Sequence, residues 1–234
     1  MLFRSLFTGD AGSGASEIRR YVIEGDLVEA IIQLPTDLFY NTGISTYIWV
    51  LTKGKDLHRG GKVQLIDASK CFVKRRKNIG SKRVDLDDAS IELILRAYEE
   101  FGNETYEENG LVVESKVFDN SFFGFTKVTV ETAQADADGK PVLKKGKKQP
   151  VKGASDTEII PLSEDVDAYM EKNVLPYNPL AYIDPAKDKI GYEVPFTRLF
   201  YKFEASASSD SIFEDIKALE AEETILMKEL FGHE

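Results

Sequence analysis

Ten residues, Leu34-Pro35-Thr36-Asp37-Leu38-Phe39-Tyr40-Asn41-Thr42-Gly43, join two short apolar runs at 27–34 and 47–51, and this arrangement constrains the fold more than any other stretch. Both runs are rich in Ile, Val, Leu and aromatics. They are nearly continuous rather than alternating, the pattern of strands covered on both faces of a sheet. The segment between them is then a sheet-end loop. Pro35 stops the first strand, and Asn41-Thr42-Gly43 offers a turn that tolerates positive φ, so Phe39 and Tyr40 are expected to project from a rigid frame. An aromatic pair held that way suits a flat partner.

Composition narrows the class. A chain of 234 residues that is 42% hydrophobic buries one sizeable core, with length left for an appendage. The single cysteine, Cys71, excludes a disulfide framework and fits a reducing compartment. Met1-Leu2-Phe3-Arg4 is too short for a signal peptide, and no apolar run approaches the roughly 20 residues of a membrane helix. The expectation is a soluble cytoplasmic protein with no membrane partner. A net charge of −10 argues against wrapping nucleic acid, because duplex affinity comes largely from Lys and Arg on phosphates. Any DNA contact must be local. Between residues 62 and 83 the balance reverses, with eight basic residues against Asp67 alone. Its centre, Lys74-Arg75-Arg76-Lys77, reads either as a solvated face or as a phosphate grip.

Taken in order, Thr8-Gly9-Asp10-Ala11-Gly12-Ser13-Gly14-Ala15-Ser16 is a glycine-rich connector before a helix at 17–24, with Ser16 as its cap. No Gly-Lys-Ser/Thr follows, so a phosphate loop is not indicated. A polar turn at 52–61 precedes a third strand at 62–68. Asp85-Leu86-Asp87-Asp88 caps an amphipathic helix at 89–101, with Ile91, Ile94, Leu95, Tyr98 and Phe101 expected on its core side. Strands are expected at 111–117 and 124–130, joined by a turn whose Phe122 and Phe123 pack on the domain or form a second stacking surface. Residues 132–157 change character, with Lys140, Lys144, Lys145, Lys147, Lys148 and Lys152 in an exposed insertion that is a solvated hairpin tip or a phosphate contact. A helix then starts near Asp165, and Pro176 and Pro179 break the chain into an extended linker. Residues 209–231 form a helix with Ile212, Ile216, Leu219, Leu226 and Leu230 near a 3.5-residue repeat, which packs on its own domain or meets another subunit. His58 and His233 have no nucleophile–base or metal-ligand setting, so an independent hydrolase or metalloenzyme is not indicated.

The pattern Leu-Pro-x-x-Leu-Phe-x-x-Thr-Gly-Ile-x-Thr-x-Ile-Trp-Val-Leu from Leu34 to Leu51 resembles the modification subunit of type I restriction–modification systems, an N6-adenine DNA methyltransferase. The likeness continues through Val63-Gln64-Leu65-Ile66-Asp67-Ala68, residues 75–80 and Ile190-Gly191-Tyr192-Glu193-Val194-Pro195-Phe196-Thr197-Arg198. It concerns the C-terminal part of that family. The implied fold is α/β: the last strands and helices of an S-adenosylmethionine-dependent methyltransferase sheet at 1–104, a β-rich extension at 105–160 holding the 132–157 insertion, and a helical assembly region at 161–234.

Further implications follow from the same likeness. Phe39 falls at the aromatic position lining the target-base pocket, bordered by Tyr40, Asn41 and Thr42, unless it only plugs the sheet end. Lys74, Arg75, Arg76 and Lys77 become candidates for the DNA backbone. The parent enzyme would use S-adenosylmethionine, none of it bound to this part. Its partners would be double-stranded DNA, a DNA-specificity subunit docked on the C-terminal helices, a second modification subunit and a restriction subunit. Asn178-Pro179-Leu180 and Asp184-Pro185-Ala186 imitate the family's Asn/Asp-Pro-Pro-aromatic and cofactor motifs but complete neither, so they are expected to be turns and the isolated chain to be inactive. Strands cut off from half a sheet would leave an open face prone to self-association. The alternative is a free-standing, non-catalytic assembly or DNA-binding module.

Overall fold

The computed structural model describes residues 7–203 and 208–232, so Met1-Leu2-Phe3-Arg4 and His233 lie outside the described residues. In chain order the elements are α1 (Gly14–Glu24), β1 (Val28–Gln33), β2 (Tyr47–Leu51), β3 (Lys62–Lys70), β4 (Val73–Ile79), β5 (Lys82–Asp85), α2 (Asp88–Glu100), β6 (Thr105–Glu108) and β7 (Leu111–Asp119). They continue with β8 (Gly124–Ala133), β9 (Leu143–Lys144), β10 (Lys147–Lys148), β11 (Pro150–Pro161), α3 (Val166–Asn173), β12 (Ala181–Ile183), β13 (Lys189–Tyr192), α4 (Phe196–Phe200) and α5 (Ser209–Phe231). The chain divides into a unit of Met1–Phe200 and a second unit of Tyr201–Glu234.

The two apolar runs become neighbouring strands with unlike surroundings. β1 sits inside a five-stranded sheet of order β2-β1-β3-β7-β6, parallel to β3 and antiparallel to β2. Its continuous apolar sequence reflects two covered faces. Ile32 points into a core with Ile66, Leu93, Ile94 and Val113 beneath α2, while Ile31 points into the opposite core with Ile23, Leu65, Phe123 and Phe196. At β1 both faces are covered among the described residues. Among the described residues β2 pairs only with β1, and its Ile48 and Leu51 are exposed.

Several local expectations shift by a few residues. α1 begins at Gly14 and is capped by Ser13, whose side chain accepts the Ser16 N–H. Ser16 is instead buried inside the helix and accepts the Tyr192 N–H at 3.0 Å. The cap of α2 is Asp87, as its acidic start suggests, but the buried stripe is Ser90, Leu93, Ile94 and Ala97. Ile91 and Leu95 are half-exposed, because the helix lies on β3 and β7 through the neighbouring rows of side chains. Gln64, buried on β3, fixes that contact by donating to the Ala97 carbonyl at 2.7 Å and the Ser115 hydroxyl at 2.9 Å. Phe101, expected on the core side, takes a left-handed φ of 50° at the helix end and lies against the Arg59 guanidinium.

The proline-broken stretch after α3 is not a linker. β12 and β13 both pair antiparallel with β8, which carries β11 on its other side. α3, capped by Asp165, covers this second sheet through Met170, against Val128, Ile160 and Ala181. The chain then returns to the first sheet, where Tyr192, Val194 and Phe196 join Phe7 and Ile31. β6 and β7 likewise complete the first sheet, so 104/105 and 160/161 are not boundaries of packing, whereas 200/201 is. Within 132–157, residues from Ser155 onward are ladder positions of β11 on β8, and the projecting part is shorter than the composition suggests. Asn178 and Asp184 serve as turn and cap residues, Asn178 donating to the Thr132 hydroxyl and Asp184 accepting from the Ala186 N–H.

Candidate nucleic-acid interface

The loop after β1 is built on a buried footing. Leu34 and Leu38 sink into the core beneath α2, and the Leu34 N–H donates to the Thr46 carbonyl at 2.8 Å. Between those anchors Asp37 adopts the left-handed φ of 56°, a position that Asp tolerates better than most residues. The positive φ expected over 41–43 is therefore found at Asp37. An antiparallel bridge between Phe39 and Thr42 closes the tip, with Tyr40 and Asn41 at its apex. Phe39 is 45% exposed and Tyr40 57%, against 8% for Leu38. Leu38 is the plug of the sheet end, and Phe39 is the residue it presents.

The basic run folds as the β4–β5 hairpin, irregular in register between Lys74 and Ile79. The hairpin is bonded to the aromatic loop through backbone groups. Arg83 donates its N–H to the Asp37 carbonyl at 2.8 Å, and Ser81 donates to the Tyr40 carbonyl at 2.9 Å. The Lys82 ammonium stands 5.5 Å from the centre of the Tyr40 ring. The two features that the sequence offered separately form one surface.

Charge within the hairpin is sorted. Arg75 and Lys82 both pair with Asp85, Lys82 at 2.8 Å, and these partners hold the Asp85 carboxyl below the ordinary carboxylate range, Lys82 foremost. Lys74, Arg76, Lys77 and Arg83 are exposed and have no ion-pair partner among the described residues. Arg75, grouped with its neighbours by sequence, is thus spent on an internal ion pair. Gly80 and Lys82 meet the loop at Tyr40, and Asp85 pairs with Lys82 from within the hairpin, a contact the residue types alone do not announce. The second aromatic pair divides: Phe123 is buried, whereas Phe122 is half-exposed and stacks on Phe118 with centroids 4.5 Å apart.

Among the described residues no group of His, Cys, Asp and Glu is placed to hold a metal, and no helix is long and apolar enough to cross a membrane. Cys71 is a free, buried thiol that burial pushes above its usual range.

The site is an α/β sheet presenting an aromatic loop beside exposed cations, and comparison with known proteins gives the family. The N-6 DNA Methylase family model matches residues 4–137, more than half of the chain and all of the surface just described. The chain belongs to that family. It is 38% identical over 90 residues to the type I restriction enzyme MjaVIII methylase subunit of Methanocaldococcus jannaschii, covering 38% of this chain and 15% of that protein. It is 32% identical over 133 residues to the HindI methylase subunit of Haemophilus influenzae, covering 55% of this chain and 29% of that protein. Among solved structures, the methyltransferase subunit of a type I restriction–modification system from Streptococcus thermophilus is 28% identical with a TM-score of 0.40, covering 51% of this chain and 22% of that one. The chain thus spans less than a third of the length of each relative named here.

Proposed function

We propose that this chain is the target-base and backbone-gripping part of a type I modification methylase, which transfers a methyl group from S-adenosylmethionine to adenine N6 in DNA. The observation that carries the reading is Phe39, a large apolar ring left nearly half exposed on a loop whose neighbours on either side are anchored. Adenine N6 is shielded inside a duplex, so the base must be swung out, and an extruded base is held by stacking worth about 1–3 kcal/mol. Phe39 forms that wall. Tyr40 and Thr42 border it, and the Asn41 amide has the donor–acceptor pair that matches the adenine edge. Lys74, Arg76 and Lys77 grip phosphates nearby without reading sequence.

S-adenosylmethionine supplies the methyl group when bound. The glycine-rich turn at 9–14 does not fit it, because Ser13 is turned onto its own helix as a cap, Glu17 puts negative charge in the first turn, and Arg19 and Lys189 fill the space beside Gly9 and Gly12. The cofactor and catalytic loops belong to sequence that these 234 residues do not contain, and the isolated chain is inactive. Calorimetric titration with S-adenosylmethionine should give no binding, and a micromolar Kd would overturn this division of labour.

α5 carries the assembly role. Within its own unit its 23 residues have no buried member, and Ile212, Ile216, Leu219, Leu226 and Leu230 are exposed. A helix with so much bare apolar surface docks on another subunit, here the DNA-specificity subunit, in an assembly with a second modification subunit and a restriction subunit. The same feature favours the second reading, a non-catalytic assembly module. The two part on Phe39: an assembly module has no use for it. Binding of this chain to a duplex with one unpaired, bulged adenine, set against the fully paired duplex, tests the stacking role. Wild type should prefer the bulged duplex by roughly ten- to a hundredfold, Phe39→Ala should lose the preference and Phe39→Trp should keep it. A preference untouched by Phe39→Ala refutes base holding.

A further inference from the structure

We infer that the β4–β5 hairpin is a strut that sets the position of the base-holding loop, with Gly80 and Lys82 as positioning residues, so that gripping the backbone and presenting Phe39 are one mechanical event. The inference rests on the reading of Phe39 given above. The loop closes no ladder of its own beyond the single Phe39–Thr42 bridge. Its carbonyls at Asp37 and Tyr40, which bracket Leu38 and Phe39, are bonded instead to Arg83 and Ser81 of the hairpin, at 2.8 and 2.9 Å. A loop held at both sides of one residue has that residue's direction fixed.

The approach that permits those bonds depends on Gly80. Its φ is +58°, in the left-handed region, and a Cβ there would stand 2.7 Å from the Tyr40 carbonyl oxygen, a backbone atom that cannot rotate aside. The hairpin turn and the loop tip meet where only hydrogen fits. Lys82 adds a second tether, its ammonium lying over the Tyr40 ring while Asp85 holds it from behind. Asp85 also holds Arg75, which lies on β4 between the exposed Lys74 and Arg76. A continuous set of contacts therefore runs from the strand that would meet phosphates to the carbonyl beside Phe39.

The experiment is the bulged-adenine assay with the full chain, run on Gly80→Ala, Lys82→Met and Lys82→Arg. Gly80→Ala and Lys82→Met should lose most of the roughly tenfold or larger preference for the bulged duplex. Affinity for the paired duplex should stay within about twofold and its salt slope unchanged, since no phosphate contact is removed. Lys82→Arg, which keeps the cation over the ring, should restore the preference. A merely structural role would lower melting temperature and weaken both duplexes together, with no rescue by arginine, and would overturn the inference. So would an intact preference in Gly80→Ala and Lys82→Met while Phe39→Ala abolishes it, an outcome that leaves base holding standing. If Phe39→Ala itself changes nothing, the underlying reading fails first. Should Gly80→Ala not fold, the Lys82 pair decides.

Discussion

Two lysine-rich hairpins stand on this chain, and they differ in what holds them. β4–β5 is bonded through its backbone to the loop at 37–40 and carries an acid, Asp85, that disciplines two of its cations. β9–β10 turns on Lys145 and Gly146, both with positive φ, and its stem is tied by backbone bonds to Gln134 just beyond β8, Val142 donating to the Gln134 carbonyl and Gln134 to the Gln149 carbonyl. Lys148, lying over the Tyr182 ring, is its one lysine set against the body of the sheet. Both hairpins are basic, yet only the first is bonded through its backbone to the loop that presents Phe39. Charge density alone does not mark a site; what the charged strand is fastened to does.

The largest expected effect comes from attacking the fastening. Leu38→Ala, which empties a buried position beneath the anchored loop, should destabilise the chain by about 2–5 kcal/mol, while Leu143→Ala, exposed on β9, should change stability by about 0.5 kcal/mol or less. Chemical denaturation of both variants measures the contrast, and equal losses would erase the distinction between the hairpins. Next in size is DNA binding. Replacing Lys74, Arg76 and Lys77 together by Ala should reduce the slope of log affinity against log salt by close to 3, while the same treatment of Lys144, Lys145 and Lys147 should leave it nearly unchanged. Similar slopes for the two triple variants would show that both hairpins touch DNA.

Acid offers a subtler lever. Asp85 has its pKa depressed by Lys82 and Arg75, so its contribution is complete above the unfolded value of 3.8 and is lost as pH falls through the lower folded value. Hydrogen exchange should show the Ser81 and Arg83 amides losing protection below that pH while Gln149 stays as it was, and simultaneous loss would mean global unfolding instead. Smallest is Lys145→Gly: relief of the left-handed conformation, about 1 kcal/mol, is offset by glycine's extra entropy, leaving a net change below about 0.5 kcal/mol in the melting analysis.

Much of the first sheet was legible because its signals are local. β1, β2 and β3 announced themselves as apolar runs between turns, and Asp87 and Asp165 as helix caps, since a cap needs only the next three residues. β12 and β13 were not legible. Ala181-Tyr182-Ile183 and Lys189-Ile190-Gly191-Tyr192 are too short to carry a period, and they are strands only because β8 offers an edge more than 45 residues away in sequence. The same holds for the site. Phe39 and the basic run were visible as residue types, but the bonds joining them run through carbonyls and amides, which every residue has. Gly80 was the one trace of the contact, and in sequence it looked like any hairpin turn. The core side of α2 was misjudged at Ile91 and Leu95 because a helix this apolar offers two adjacent stripes, and the sheet chooses between them.

The outer side of β2, unpaired among the described residues, has a consequence for how this chain keeps company. Tyr47-Ile48-Trp49-Val50-Leu51 contains no charge, no proline and no glycine, the devices by which a terminal strand refuses neighbours. Its outer row of amides and carbonyls is a blank template five residues long. Any extended segment laid against it would be drawn into register by hydrogen bonds alone, and in a concentrated solution the segment nearest to hand is the same strand of another molecule.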